Sequence, residues 1–200
     1  MPTGRGPKRA AGRWDPSLEG AILDAALAAV TELGYDRMTM DDLAARAGVG
    51  KAAIYRRWSS KGEVVAQAIA HWRQSRGPTS PPNTGSLRGD LDALVSAVQD
   101  YSEQETDTIR VVIGVATAAM RDPVLSAALD DLVLSVPRQI MLAVLDRAVE
   151  RGEISADRDL SLLPDTVLGL NVLRMLSGRP IDRRFVRQVL DDVVLPLATG

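Results

Sequence analysis

Apolar residues recur every three to four positions along most of this chain, and nowhere do they alternate singly between hairpin turns. A period near 3.6 marks one buried stripe on a helix, whereas a period of two would mark a half-buried strand. The pattern therefore predicts an all-α chain. Leu18, Ile22, Ala25, Ala29 and Leu33 set the first helix, from Pro16 to Leu33, with Asp15 as N-cap and Pro16 in the first helical position. Gly34 stops it. Thr39 opens a second helix as a capping box, since Asp42 three residues on can reach back to its backbone. Leu43, Ala44 and Ala47 form the buried side of that helix. Gly48 supplies a left-handed turn without a Cβ penalty, and Val49 fills the corner. A third helix runs from Lys51 to Trp58 with Ile54 and Trp58 inward, and Ala44 and Ala53 are small where helices cross. Ser59 or Ser60 caps a fourth, which carries Val64, Val65, Ala68, Ile69 and Trp72.

Residues 75–86 are rich in Pro, Gly and Ser and read as a connection between two functional parts. Five helical patterns follow, near 87–104, 107–121, 123–151, 159–177 and 182–197. Pro137 leaves open whether the third is one helix or two, and Pro164 falls early in the fourth. The expected organisation is a basic arm over 1–14, a helix-turn-helix head over 15–75, and a C-terminal helical bundle over 76–200 that dimerises.

The net charge of −2 hides an asymmetry: residues 1–76 hold 12 Lys/Arg against 8 Asp/Glu, and residues 77–200 hold 12 Arg against 18 acids. The arm carries Arg5, Lys8, Arg9 and Arg13 with no acid, which suits either a solvated tail or a segment lying along phosphates. There is no Cys, no apolar run long enough to span a bilayer, and no apolar leader after Met1, so a cytoplasmic protein without membrane partner is expected. Enzyme chemistry has little to stand on. His71 is the one histidine, no Gly-rich phosphate loop or metal-ligand spacing occurs, and the adjacent pairs Asp130–Asp131 and Asp191–Asp192 diverge around their helices. No cofactor or metal is expected.

Residues 39–61 form two short helices joined by a tight turn, the second ending in a basic, aromatic cluster, which is the build of a helix whose side chains enter the major groove of DNA. The wider segment resembles the DNA-binding region of TetR-type (tetracycline-repressor-like) transcriptional regulators. The resemblance rests on Gly34-Tyr35, Thr39, Ala47-Gly48-Val49, Ile54-Tyr55, Trp58 and Lys61, over about 50 residues; the rest of the chain resembles the family only in length and helix count. Two positions depart from it. Gly50 stands where many members have Ser or Thr, and Arg56-Arg57 replaces commoner pairs ending in His.

The candidate DNA contacts are Thr39, Gly50, Lys51, Ala52, Tyr55, Arg56, Arg57 and Lys61. Thr39 either meets phosphate at a helix N-terminus or serves as a cap alone. Gly50 lets the DNA backbone approach. Lys51 suits guanine O6 or N7, and Ala52 a thymine methyl. Tyr55 resembles the family's phosphate-contacting tyrosine, the alternative being a core tyrosine. Arg56 and Arg57 lie about 100° apart on a helix, so one touches DNA and the other the surface or an acid. Lys61 is expected to clamp phosphate, and Trp58 to lie in the core.

One such head contacts few bases, so a homodimer on a palindromic double-stranded operator is expected. Its face would come from Leu168, Val172, Met175 and Leu176 and from Val186, Val189, Leu190, Val193, Val194 and Leu197, unless these complete the monomer core. The resemblance further implies a repressor released by a small-molecule effector. Candidate pocket residues are Trp72, Tyr101, Met120, Met141, Asn171, Arg174 and Met175, although Met at helical spacing is more often core. Control by a partner protein and non-specific DNA binding are the alternatives, the second disfavoured by the acidic C-terminal part.

Overall fold

The structure, a computed structural model, describes residues 16–74, 78–98, 111 and 114–200. The basic arm, the Asp15 cap, Tyr101 and the end of the pattern reaching 104 lie outside the described residues. Among the described residues every regular element is helical. The head comprises α1 (Pro16–Leu33), α2 (Met40–Ala47), α3 (Lys51–Tyr55) and the start of α4 (Lys61–Gln74). After it come α5 (Leu87–Ala97), α6 (114–119), α7 (Pro123–Leu129), α8 (Ser135–Glu150), α9 (Leu163–Leu176), α10 (Arg183–Val189) and α11 (Leu195–Thr199).

Local chemistry explains the boundaries. Gly34 and Gly48 end α1 and α2 at φ +79° and +65°, where any Cβ is strained. The α3 helix is shorter than expected: it stops at Tyr55, and the chain tightens so that Arg57 and Trp58 both donate their N–H to the Ile54 carbonyl. Trp58 still turns inward and is fully buried. Ser60 Oγ caps α4 by accepting from Glu63 N at 3.1 Å. Pro164 sets the start of α9, at Leu163 rather than near 159, because proline is tolerated only in a helix's first turn.

The segment 123–150 is one helical rod, but it widens into a π turn over Asp130–Leu134. A second π turn, Leu190–Val194, joins α10 to α11. Each precedes a proline by two or three residues, Pro137 and Pro196. Proline removes an N–H and its ring crowds the carbonyl four residues back; a widened turn just upstream relieves that clash without breaking the rod.

Two apolar clusters hold the chain. The first joins α1–α4 to α6 and α7 through Ile22, Val30, Leu43, Ile54, Trp58, Ile69, Val115, Leu125 and Leu129. The second joins α5, α8, α10 and α11 through Leu91, Leu94, Met141, Val144, Leu145, Leu190 and Val194. The Pro/Gly-rich segment is pinned to the second cluster at its far end. Asp90 is fully buried and accepts from Thr84 N (2.6 Å), Thr84 Oγ1 (2.9 Å) and Arg151 Nη2 (3.1 Å). Glu153 meanwhile accepts from Leu87 N at 2.7 Å. Burial raises the Asp90 pKa, but these hydrogen bonds and the Arg151 charge overcome it, so the carboxyl lies below its ordinary value.

Candidate functional site

The second helix of the motif presents Gly50, Lys51, Ala52, Tyr55 and Arg56 on one exposed surface. It is held from behind by Ile54, which is fully buried. Gly50 has φ −71°, and a Cβ added there meets nothing within 4 Å. Nothing inside the chain requires glycine at this position. Tyr55 is 47% exposed, which removes the core alternative for it.

Lys51 Nζ sits 2.9 Å from an Asp41 carboxylate oxygen and 6.0 Å from the Tyr55 ring centroid. The hydrogen bond that Lys51 donates to Asp41 holds the Lys51 pKa above its ordinary value. Arg57 pairs with Glu19 at 3.1 Å. Glu19 also accepts from Gln67 Nε2, and Gln67 Oε1 accepts from Trp58 Nε1 at 2.6 Å, so Arg57 belongs to a chain of polar contacts joining α1, α4 and the end of the motif. The Arg56 side chain makes no hydrogen bond or ion pair among the described residues and is exposed. The two arginines thus differ in their surroundings: Arg57 has an acid partner and Arg56 none among the described residues. The sequence reading had not found Asp41 or Glu19, the acids that orient these cations.

Thr39 forms the complete capping box. Its Oγ1 accepts from Asp42 N at 3.2 Å, while Asp42 Oδ2 accepts from Thr39 N at 2.9 Å and from the hydroxyl at 2.6 Å. The hydroxyl proton is therefore directed at a carboxylate.

Lys61 departs from the expected phosphate clamp. Its Nζ turns inward and donates to the carbonyls of Tyr35 (2.8 Å), Met38 (3.2 Å) and Asp36 (3.5 Å), 4.3 Å from the Tyr35 ring centroid. The loop between α1 and α2 leaves these carbonyls without helical partners, and a lysine ammonium has three donors to offer. Beside it, the Tyr35 hydroxyl donates to Asp122 Oδ2 at 3.0 Å. Asp122 Oδ1 caps α7 by accepting from Val124 N and Leu125 N, each at 3.1 Å. The Leu125 amide first, then the Tyr35 hydroxyl, hold the Asp122 carboxyl below its ordinary pKa. Burial first, then Asp122, push the Tyr35 phenol well above 10. A Cβ on Gly62 would lie 3.2 Å from Leu125 Cα. The head is thus joined to α7 by one hydrogen-bonded junction and a close helix contact.

A cavity of about 430 Å³ opens between α4, α6, the π turn after α7, α8 and α9. It brings together four of the expected pocket residues: Trp72, Met120, Asn171 and Met175. Two others are elsewhere. Met141 is buried in the second cluster, where the unbranched thioether fills the interior between α5 and α8. Arg174 leaves the cavity to donate from Nε to the Pro180 carbonyl at 2.7 Å and to stack 4.1 Å from the Phe185 ring centroid. The sequence reading missed Ile69 and Arg73 on α4, Val133, Leu134 and Pro137 on the rod, and Leu168, Val172 and Leu176 on α9. Their signal was present as the three-to-four spacing of 69, 72 and 73 and of 168, 171, 172, 175 and 176.

The dimer stripe divides in the same way. Of the expected residues, Val172 and Leu176 on α9 and Leu197 on α11 are exposed, as is Leu173, which the stripe read from the sequence did not include. Leu190 and Val194 instead complete the second cluster, with Val186 packed against it, and Val189 is buried as well.

Residues 22–68 match the family model for bacterial regulatory proteins of the tetR family, and residues 81–193 match the tetracyclin repressor-like C-terminal domain. An uncharacterised HTH-type transcriptional regulator of Mycobacterium tuberculosis strain H37Rv is 36% identical over 187 residues, covering 93% of this chain and 90% of that protein. A DNA-binding transcriptional repressor TetR of Mycobacteroides abscessus is 34% identical over 178 residues, covering 88% and 92%. Among solved structures, GusR of Salmonella enterica superposes with a TM-score of 0.67 over 94% of this chain and 98% of that one, at 18% identity, a likeness of fold.

Proposed function

The chain belongs to the TetR family of helix-turn-helix transcriptional regulators, and on that premise we propose that it acts as a dimeric repressor which a small molecule releases from a twofold-symmetric operator. The observation that carries this reading is the course of α4. Its first turn, at Lys61 and Gly62, fixes the head to α7, and its last turn, at Ile69, Trp72 and Arg73, lines the cavity. A ligand that prefers one position of that last turn biases the position of the head, and so the spacing of two heads on DNA. The exposed apolar residues of α9 supply a face for the second copy. An open cavity supports control by a small molecule over control by a partner protein, which needs no interior space.

In this reading residues 15–75 read DNA and 76–200 bind ligand and partner copy. The head's contacts are the exposed group Gly50, Lys51, Ala52, Tyr55 and Arg56. Thr39 contributes through backbone amides at the start of α2, and Arg57 through its position beside Glu19. Lys61 is left out because its ammonium is committed to the chain's own carbonyls.

Selection of bound DNA from a random library tests this directly. A twofold-symmetric enriched motif is expected, and its release by a compound from a small-molecule screen completes the test. Enrichment of an asymmetric site, or of none by folded protein, would sink the dimeric operator reading.

A further inference from the structure

Resting on the reading of α3 as the helix that meets DNA, we propose that Asp41 is a positioning residue for base recognition. It holds the Lys51 ammonium where a guanine edge can be met without leaving the acid, and it makes a move of that ammonium to phosphate unfavourable. Asp41 thereby sets selectivity without touching a base.

Lys51 Nζ lies 2.9 Å from one Asp41 carboxylate oxygen and 3.0 Å from the other. Among the described residues Lys51 is the one side-chain partner of Asp41. The pair ties the first turn of α2 to the first residue of α3, across the turn at Gly48. The Asp41 side chain is 73% exposed and that of Lys51 47%, and an ion pair so exposed adds little to stability. Nor is Asp41 needed as a cap, because Thr39 and Asp42 complete the capping box between themselves. Its place in the first turn of α2 favours the helix dipole, a gain that does not depend on Lys51. Against that gain stands the repulsion between an exposed carboxylate and DNA phosphates.

A lysine ammonium carries three donors on a flexible stem. Unrestrained, it takes a phosphate as readily as a base, and phosphate carries no sequence information. Asp41 shifts that balance in two ways. It occupies part of the ammonium and leaves donors to spare, so guanine O6 or N7 can be met while the pair stays closed. A reach to phosphate opens the pair and leaves a bare carboxylate among phosphates, where like charges repel. Non-specific complexes carry that penalty, and the specific complex does not.

The test uses the full-length protein with two duplexes of equal length, the operator selected from a random library and a random sequence. Both dissociation constants are read by fluorescence anisotropy. Asp41→Asn removes the charge but can still accept from Lys51, and circular dichroism checks its fold. It should tighten the random duplex by about three- to tenfold and hold the operator within about threefold. The specificity ratio then falls by roughly fivefold, near the low end of what one base contact discriminates. In a Lys51→Met background, Asp41→Asn should no longer change the ratio. A ratio that does not fall overturns the proposal. That includes the case in which both constants shift together, as loss of the helix-dipole contribution alone would produce. An equal fall in the Lys51→Met background overturns it as well, since the acid then acts by its own charge.

The DNA reading of α3 fails on a different result. If the folded protein enriches no motif from the random library, that reading falls and the role of Asp41 falls with it. An enriched motif whose guanine preferences survive in Lys51→Met keeps the DNA-binding reading and removes the role given to Asp41.

Discussion

Among single residues, the four cations expected to meet DNA fall into three conditions that sequence spacing does not distinguish. Arg56 faces water, Lys51 and Arg57 are held by Asp41 and Glu19, and Lys61 is turned into the chain. Each condition has its own experimental signature. Arg56→Ala should weaken operator binding and reduce the slope of log K against log salt by about one unit. Arg57→Ala should change that slope less and lower thermal stability instead, since its loss unties Glu19. Fluorescence anisotropy across a salt series separates the two. Lys61→Ala should leave the salt slope unchanged and cost about 1–2 kcal/mol, or roughly 2–8 °C in Tm, because the loop carbonyls lose a charged donor. A lowered slope with unchanged Tm would restore Lys61 as a phosphate contact. The inward turn was not legible in the sequence, because its acceptors are main-chain carbonyls 23–26 residues away, which carry no residue identity.

The elements that could be read in advance were those fixed by neighbouring residues. Thr39 with Asp42 and Gly48 with its positive φ both depend on contacts a few residues apart. What stayed hidden was which face of a helix meets which neighbour. Met141 and Met175 share one residue type and one periodicity, yet only the crossing of α8 with α5 sends the first into a core. The end of the chain, apolar on more than one face, read equally as dimer surface or monomer core, and packing against α5 and α8 decided for core over most of it. At the junction of α1, α4 and α7, the Tyr35–Asp122 bond makes a prediction in pH. Asp122 ionises more readily folded than unfolded, so its contribution is complete above its unfolded value of 3.8 and is lost as pH falls through the lower folded value. Tyr35 keeps its proton more tightly when folded, so its contribution is complete below its unfolded value of 10 and declines as pH rises beyond it. Urea titrations across pH should show both limbs. Tyr35→Phe should flatten the alkaline one and cost about 1–2 kcal/mol at neutral pH. An alkaline limb unchanged in that variant would remove the bond from the account.

For the molecule as a whole, the exposed leucines of α9 predict its assembly. Leu173 is 61% exposed and Leu176 60%, more apolar surface on one helix than a monomer usually leaves. Leu173→Glu with Leu176→Glu should yield folded monomers by analytical ultracentrifugation, and should weaken operator binding by more than an order of magnitude as the second half-site contact is lost. A double variant that stays dimeric would move the interface elsewhere. The packing of Leu125 and Leu129 into the same cluster as Ile22, Ile54 and Trp58 has a further consequence. The reading head is not a cartridge. Severed at the Pro/Gly-rich segment, it would lose the cover over one side of its interior and the anchor for its first loop. Fused to a foreign sensor, it would need a new surface shaped like α7, with a capping carboxylate where Asp122 stands. Swapping specificities between such regulators is therefore expected to succeed by replacing the few exposed residues of α3 in place, and to fail by transplanting the head entire.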